Sequence, residues 1–258
     1  RSASEAYSLT LPETVVRQCK SALGPLTAFK RMVNSSGKPE FEDVPLTGEA
    51  FPHDHAKLPA EIPQIGDRGI RLADVVNGKN TLEEFTAQLT DYDLSCIIRG
   101  EGMGSPKVTA GTAAAFGGVS DTLTALGIPC ACCDDGPSGM RLDCGTKAFS
   151  LPNGTLLAST FDRPLMTELF TFMGLEMHTN QVDCLLGPGM NIHRHPLNGR
   201  NFEYFSEDPY LTGEMASAEL AGLHSTGAEG TIKHFCGNNR ETRRHFLDSV
   251  ISERALRE

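Results

Sequence analysis

The stretch Asn191 to Asp208, NIHRHPLNGRNFEYFSED, constrains this chain more than any other. It gathers His193, Arg194, His195 and Arg200, the aromatics Phe202, Tyr204 and Phe205, and the carboxylates Glu203, Glu207 and Asp208. Such a run is too polar for a core segment and too aromatic for a plain solvated loop. It follows a short apolar run, Val182 to Leu186, that ends in Gly187-Pro188-Gly189. A buried strand that stops at glycine and proline and then releases charged residues delivers side chains to the mouth of a barrel. The arrangement occurs twice more. Ile128 to Cys133 leads into Asp134-Asp135-Gly136-Pro137-Ser138-Gly139-Met140-Arg141, and Gly230 to Phe235 carries Lys233 and His234. Helix-like segments lie between these strands, Pro164 to Thr179 and Pro209 to Thr226, each preceded by an Asp suited to the N-cap. The alternation is the βαβα pattern of a parallel sheet or barrel.

The remainder is less regular. Residues 1 to 60 read as a linker or the tail of a preceding domain: Leu11 to Leu23 has mixed helical spacing, Ser35 to Pro39 and Phe51 to His55 read as loop, and His53 and His55 as solvated histidines. Residues 61 to 258 read as one domain. Ile70 to Val75 reads as a strand that ends at Asn77-Gly78. Thr81 and Glu84 form a capping box, opening a helix with Leu82, Phe85, Leu89 and Leu94 on its apolar side. Leu94 to Ile98 continues as a helix or strand. Glu101 to Val119, dominated by Gly, Ala, Ser and Thr, reads as a loop at the rim of a site, without the spacing of a phosphate cradle. Thr122 to Leu126 is a short helix stopped by Gly127. In the segment after Pro164, residues Leu165, Leu169, Phe172, Met173, Leu175 and Met177 form a broad apolar face. A polar loop, Gly237 to Asp248, precedes a further helix start at Ser252 to Glu258.

Length and charge bound the function. The 258 residues suffice for one large or two modest domains. The net charge of −10 argues against nucleic acid and anionic membrane as partners. No apolar run approaches the ~20 residues that span a bilayer. The first residues lack the apolar core of a signal peptide. The chain starts without Met and is expected to be a segment of a longer protein. Several of the eight cysteines sit in apolar runs, the usage of a reducing, cytoplasmic protein. Cys130, Cys132 and Cys133 lack the paired spacing of a structural metal site.

Five residues stand out as ligand-binding candidates. Asp135, at a strand exit, can accept two vicinal hydroxyls, and Arg141 supplies a donor in the same turn. Arg200 suits hydroxyls or a carboxylate, including an ion pair with Glu203, Glu207 or Asp208. Lys233 and His234, being adjacent, both reach a ligand only where the strand ends. His193 and His195 form an H-x-H pair, the basis of a competing reading as a metal-dependent barrel hydrolase. Asp135 and Glu203 are the carboxylates that a two-carboxylate glycosidase mechanism could use.

Taken together, Asp135-Gly136-Pro137-x-Gly139-x-Arg141, the run from Leu186 through Asn191, Arg194, Pro196 and Gly199-Arg200-Asn201-Phe202-Glu203 to Asp208-Pro209, and Lys233-His234-Phe235 resemble glycoside hydrolase family 3, and within it the β-glucosidases. The resemblance covers Ile128 to Glu258, with an extension towards Asp74. It implies an incomplete (β/α)8 TIM-like barrel in an α/β protein, and a retaining exo-glycosidase acting on terminal β-D-glucosyl residues of glucosides or oligosaccharides. β-Xylosidase and α-arabinofuranosidase activities of the same family stay open, as does a non-catalytic sugar-binding role. By resemblance, Asp135, Arg141, Arg200, Lys233 and His234 grip the terminal sugar, which removes Asp135 and Glu203 as catalysts. No cofactor or metal is implied. The family nucleophile belongs to a Ser/Thr-Asp-Trp run, and this sequence has no Trp. The nucleophile is therefore expected beyond Glu258 and the acid/base glutamate in a sandwich domain, the order resembling the subgroup in which that domain precedes the barrel. The remaining barrel and the sandwich domain are the expected partners. Cys236 to Glu241 departs from the loop of the family's N-acetylhexosaminidases. Phe202 and Tyr204 are the candidate stacking platforms.

Overall fold

The computed structural model describes residues 15–18, 27–33, 35–36, 39–45 and 60–251. The first strands are β1 (Val15–Gln18), β2 (Thr27–Val33) and β3 (Pro39–Pro45). β2 and β3 form an antiparallel hairpin, with Thr27 opposite Pro45 and Val33 opposite Pro39. β1 pairs antiparallel with β8 (Leu247–Val250), near the other end of the sequence. Val15–Gln18 is thus strand where Leu11 to Leu23 reads as helical. The polar loop expected to Asp248 gives way to β8 at Leu247 for the same reason. This long-range pairing has no local signal. His53, His55 and the helix start at Ser252 lie outside the described residues.

Three short helices follow, α1 (Leu72–Val76), α2 (Leu82–Ala87) and α3 (Asp91–Arg99). The first replaces the strand read at Ile70 to Val75. The Asp74 carboxylate accepts a hydrogen bond from the Arg71 amide at 3.0 Å and so closes a helical turn. The capping box of Thr81 and Glu84 is present. The apolar side read as one helix from Leu82 to Leu94 is broken, because Thr90 and Asp93 form a second capping box that starts α3. Phe85, Leu89 and Leu123 make a small core here.

The sheet that positions the site runs in the order β4 (Ala114–Gly117), β5 (Cys130–Asp135), β6 (Cys184–Leu186), β7 (Glu229–Gly230). β4 is antiparallel to β5, whereas β5, β6 and β7 are parallel. β4 lies inside the stretch read as a rim loop. Its small residues hide the alternation, in which Ala115 is buried while Phe116 is exposed. Between the strands come α4 (Asp121–Ala125), α5 (Gly154–Ala158), α6 (Arg163–Thr179) and α7 (Pro209–His224). This is part of a (β/α) barrel, with crossover helices over one face of the parallel strands.

Asp162 and Asp208 cap α6 and α7, accepting from the Leu165 and Tyr210 amides, and proline occupies the first turn of each. Met166, Phe170, Met173 and Met177 are buried on one side of α6 and form the main core with Leu185, Met215 and Leu223. Gly222 lets α7 approach, since a Cβ there would meet the Thr167 carbonyl and the Phe170 Cβ. The apolar face of α6 is narrower than its sequence reads. Leu165, Phe172 and Leu175 are 38%, 53% and 53% exposed, because only the flank towards α7 and the sheet is covered among the described residues. Among the described residues, no helix is long and apolar enough to cross a membrane.

Candidate functional site

The C-terminal ends of β5, β6 and β7 lie side by side, and each releases part of the site. At the end of β5, Asp135 accepts from the Lys233 ammonium, a contact that joins β5 to the chain after β7. Burial pushes the Asp135 carboxyl up, but the Lys233 ammonium and the Gly136 amide outweigh it and hold the group below the usual carboxylate range. The following turn is closed by the Arg141 amide, which donates to the Asp135 carbonyl at 2.9 Å. Gly136 is required there: its φ is +124°, and a Cβ would run into the Gly139 carbonyl. The Arg141 side chain turns to Asp143, with Nε and Nη2 at 3.1 and 2.9 Å from its carboxylate, and it stays exposed. The neighbouring carboxyl in the chain is that of Asp134. It is fully buried, and burial, opposed by the Asp135 and Arg141 amides, pushes it up to about 6.

After β6 the chain curls back on itself instead of continuing as strand. His193 Nε2 meets the Tyr204 carbonyl at 2.8 Å, and His195 Nδ1 accepts from the Leu197 amide at 3.1 Å. The two histidines of the H-x-H pair are therefore engaged by backbone and share no strand face, which removes the geometry that a metal reading needs. No cluster of three or more metal-ligating side chains occurs among the described residues. Arg200 Nη1 donates to Glu203 at 2.6 Å, and Arg200 Nε lies 3.1 Å from Glu241. Glu203 is buried in this pair, as the ion-pair reading of Arg200 requires. Tyr204 is fully buried, so of the two aromatic candidates only the exposed Phe202 could stack on a ligand.

After β7, the Gly189–Lys233 bridge carries the chain past β6, and the Lys233–His234 peptide is cis. His234 Nδ1 lies 3.0 Å from the Tyr204 hydroxyl. Burial and the neighbouring Arg200 charge hold the His234 imidazole below its ordinary range, so it is neutral at physiological pH. An open groove of about 620 Å³ is lined by Arg200, His234, Phe235, Asn238, Glu241 and Arg244, among others. Four of the five residues singled out from the sequence are thus linked: Asp135 to Lys233, Lys233 to His234, and His234 to Arg200 across the groove. Arg141 shares the turn of Asp135 but faces Asp143. Glu241 joins the site although little in its sequence context marks it. Its only sequence signal is the Asn238-x-x-Glu241 spacing in a polar loop after a strand.

Comparison with known proteins identifies the family. Residues 64–257 match the family model described as the glycosyl hydrolase family 3 N terminal domain. A β-glucosidase from Ruminococcus albus is 67% identical over 260 residues, covering all of this chain and 28% of that protein. Butyrivibrio fibrisolvens β-glucosidase A is 36% identical over 269 residues, which cover 31% of its length. The chain therefore spans about a third or less of the curated relatives it matches. Among solved structures, a β-glucosidase from Paenibacillus barengoltzii superimposes with a TM-score of 0.78 at 52% identity, covering 93% of this chain and 27% of that one. β-Glucosidase 3B from Thermotoga neapolitana, solved in complex with α-D-glucose, gives a TM-score of 0.56 at 38% identity over 63% of this chain and 24% of that one. With most of its residues matched by the family model and full-length coverage by a relative of 67% identity, this chain belongs to glycosyl hydrolase family 3, its residues 64–257 matching the N terminal domain.

Proposed function

We propose that this chain supplies the sugar-binding part of a β-glucosidase-like retaining exo-glycosidase, with Asp135, Arg141, Arg200, Lys233 and His234 holding the hydroxyls of a terminal β-D-glucosyl residue. One observation carries the reading. Every cationic side chain of the set is matched by a carboxylate: Lys233 by Asp135, Arg141 by Asp143, and Arg200 by Glu203 and Glu241. His234 is neutral. Such a site offers directional donors and acceptors with no unpaired cation in the set, which suits a neutral polyhydroxyl ligand and not an anion. Ionised Asp135 accepts from hydroxyls, while the free donors of the guanidinium and ammonium groups give to hydroxyl oxygens.

In the whole enzyme a nucleophilic aspartate attacks the anomeric carbon as a glutamate protonates the departing oxygen. The same glutamate then removes a proton from the water that releases the sugar. Both carboxylates come from chain outside these residues, in the remaining barrel and a sandwich domain. The residues here contribute by holding the ring in a geometry closer to the transition state than to the ground state. The buried thiols Cys132, Cys133 and Cys184 support a reducing, cytoplasmic setting.

The test compares two substrates of the full-length protein, para-nitrophenyl β-D-glucoside and the same glucoside phosphorylated on its primary hydroxyl. A charge-compensated site favours the neutral one by about 100-fold or more in kcat/KM, because the phosphate meets carboxylates that are already paired. Equal rates, or a preference for the phosphorylated glucoside, would overturn the reading.

A further inference from the structure

Glu241 joins two of these binding groups, and the route between them can be followed atom by atom. Its Oε1 accepts from Asn238 Nδ2 at 2.8 Å and faces Arg200 Nε at 3.1 Å, and its Oε2 accepts from Arg244 Nη1 at 2.7 Å. Asn238 Nδ2 also donates to the Tyr204 hydroxyl oxygen at 2.8 Å. The two hydrogens of that amide are thereby assigned, one to Glu241 and one to Tyr204. A carboxylate accepts only, so Glu241 fixes which way the amide of Asn238 faces. The Tyr204 oxygen already accepts from Asn238, so its own hydrogen goes to its remaining neighbour, His234 Nδ1, at 3.0 Å. Burial pushes the Tyr204 phenol up to about 12, so the hydrogen is present throughout the physiological range. His234 Nδ1 is then an acceptor, and the proton of the neutral ring sits on Nε2.

We propose that Glu241 is a positioning residue that sets two sugar-binding groups at once, orienting the Arg200 guanidinium directly and fixing the Nε2–H tautomer of His234 through Asn238 and Tyr204. The carrier loop is itself pinned to the segment after β6. The Gly237 amide donates to Asn191 Oδ1 at 2.9 Å, and the Asn238 carbonyl accepts from the Asn191 and Asn198 side chains at 3.1 and 3.0 Å. Asn191, Asn198 and Asn239 are all buried. A loop held this firmly keeps the Glu241 carboxylate at one place, which a positioning role needs. The consequence for ligand recognition is specific: His234 offers a donor to the sugar, so the oxygen it meets must act as acceptor. The inference rests on the sugar-site reading above.

The test uses the full-length protein and para-nitrophenyl β-D-glucoside. Glu241→Ala and Tyr204→Phe each lower kcat/KM about 10- to 100-fold, the usual cost of losing a group that orients a ligand-binding side chain. Because both act on His234 through one chain of hydrogen bonds, the double variant loses clearly less than the product of the single losses. Glu241→Gln keeps an acceptor oxygen towards Asn238, and with it the relay to His234, while giving up the ion pair with Arg200, and recovers the larger part of the activity lost in Glu241→Ala. A purely structural role predicts multiplicative losses that follow the fall in thermal midpoint, and no rescue by Gln; either result overturns the proposal. Should Glu241→Ala fail to fold, Tyr204→Phe removes a single buried oxygen, and unchanged kcat/KM in that variant also overturns it. Asp135→Asn separates the two levels. If it abolishes turnover while Tyr204→Phe and Glu241→Ala do not, the site stands and the relay falls. If Asp135→Asn is also harmless, the site reading itself is wrong.

Discussion

Asp135 and Lys233 show how far single residues could be read in advance. Each sits where an apolar run stops, which marks both as strand exits without knowledge of any partner, and the two exits flank β6 in the parallel sheet. Tyr204 and Glu241 were not legible in that way. Whether Tyr204 stacks on a ligand or is buried beneath one depends on the fold-back of its segment, and Glu241 acquires its meaning from Arg200 and, through Asn238, from Tyr204, both far away in sequence. Glu219 was likewise silent in sequence. It is fully buried in α7, with Oε1 lacking a hydrogen-bond partner among the described residues, and burial holds its carboxyl well above the usual range. A carboxyl whose native pKa is raised keeps its proton in the folded state and loses it on unfolding near the ordinary value. It therefore destabilises the fold progressively as pH rises above that value, with a slope of up to about 1.4 kcal/mol per pH unit for one proton. Asp134, raised to about 6, adds to the same trend. The thermal midpoint is expected to fall between about pH 5 and 7, and Glu219→Gln should flatten that fall. An unaltered slope in this variant would show that Glu219 is ionised or solvated in the fold.

At the level of elements, termini were easier to read than faces. Asp162 before Pro164, Asp208 before Pro209 and the Thr81–Glu84 box all mark helix starts that the structure contains, because capping is a local hydrogen-bond problem solved within four residues. Faces depend on what packs opposite. The run Leu165, Leu169, Phe172, Met173, Leu175 and Met177 is apolar enough to place several residues inward, yet Met166 and Phe170 take the core positions while Phe172 is half-exposed. This difference can be measured. Met173→Ala should cost about 2–5 kcal/mol through loss of a fully buried side chain, whereas Phe172→Ala should cost under about 1 kcal/mol. Comparable denaturant midpoints for the two variants would contradict the assigned face. β4 and α1 escape the hydrophobic pattern for a related reason. Small residues conceal a strand whose partner is β5, and an Asp side chain closes a turn that hydrophobic alternation does not register.

For the whole molecule, the sheet order β4-β5-β6-β7 places three strand ends in a row, and the site is the set of segments that leave those ends. The parallel part of the sheet was legible because βαβ units repeat the same apolar-run, turn and helix pattern. The antiparallel β4 and the β1–β8 pairing were not, since pairing across most of the sequence leaves no periodic trace. Charge is organised at the same scale. A chain of net charge −10 arranges its site cations so that each faces a carboxylate, and this compensation is the main reason to assign a neutral sugar as ligand. The most direct test of that assignment is kcat/KM of the full-length protein for para-nitrophenyl β-D-glucoside before and after Asp135→Asn. The account predicts a loss of roughly 10- to 100-fold or more, as expected when a charged acceptor of sugar hydroxyls is removed, with the fold retained. Unchanged kcat/KM in a folded Asp135→Asn protein would contradict the central claim that these strand ends hold the sugar.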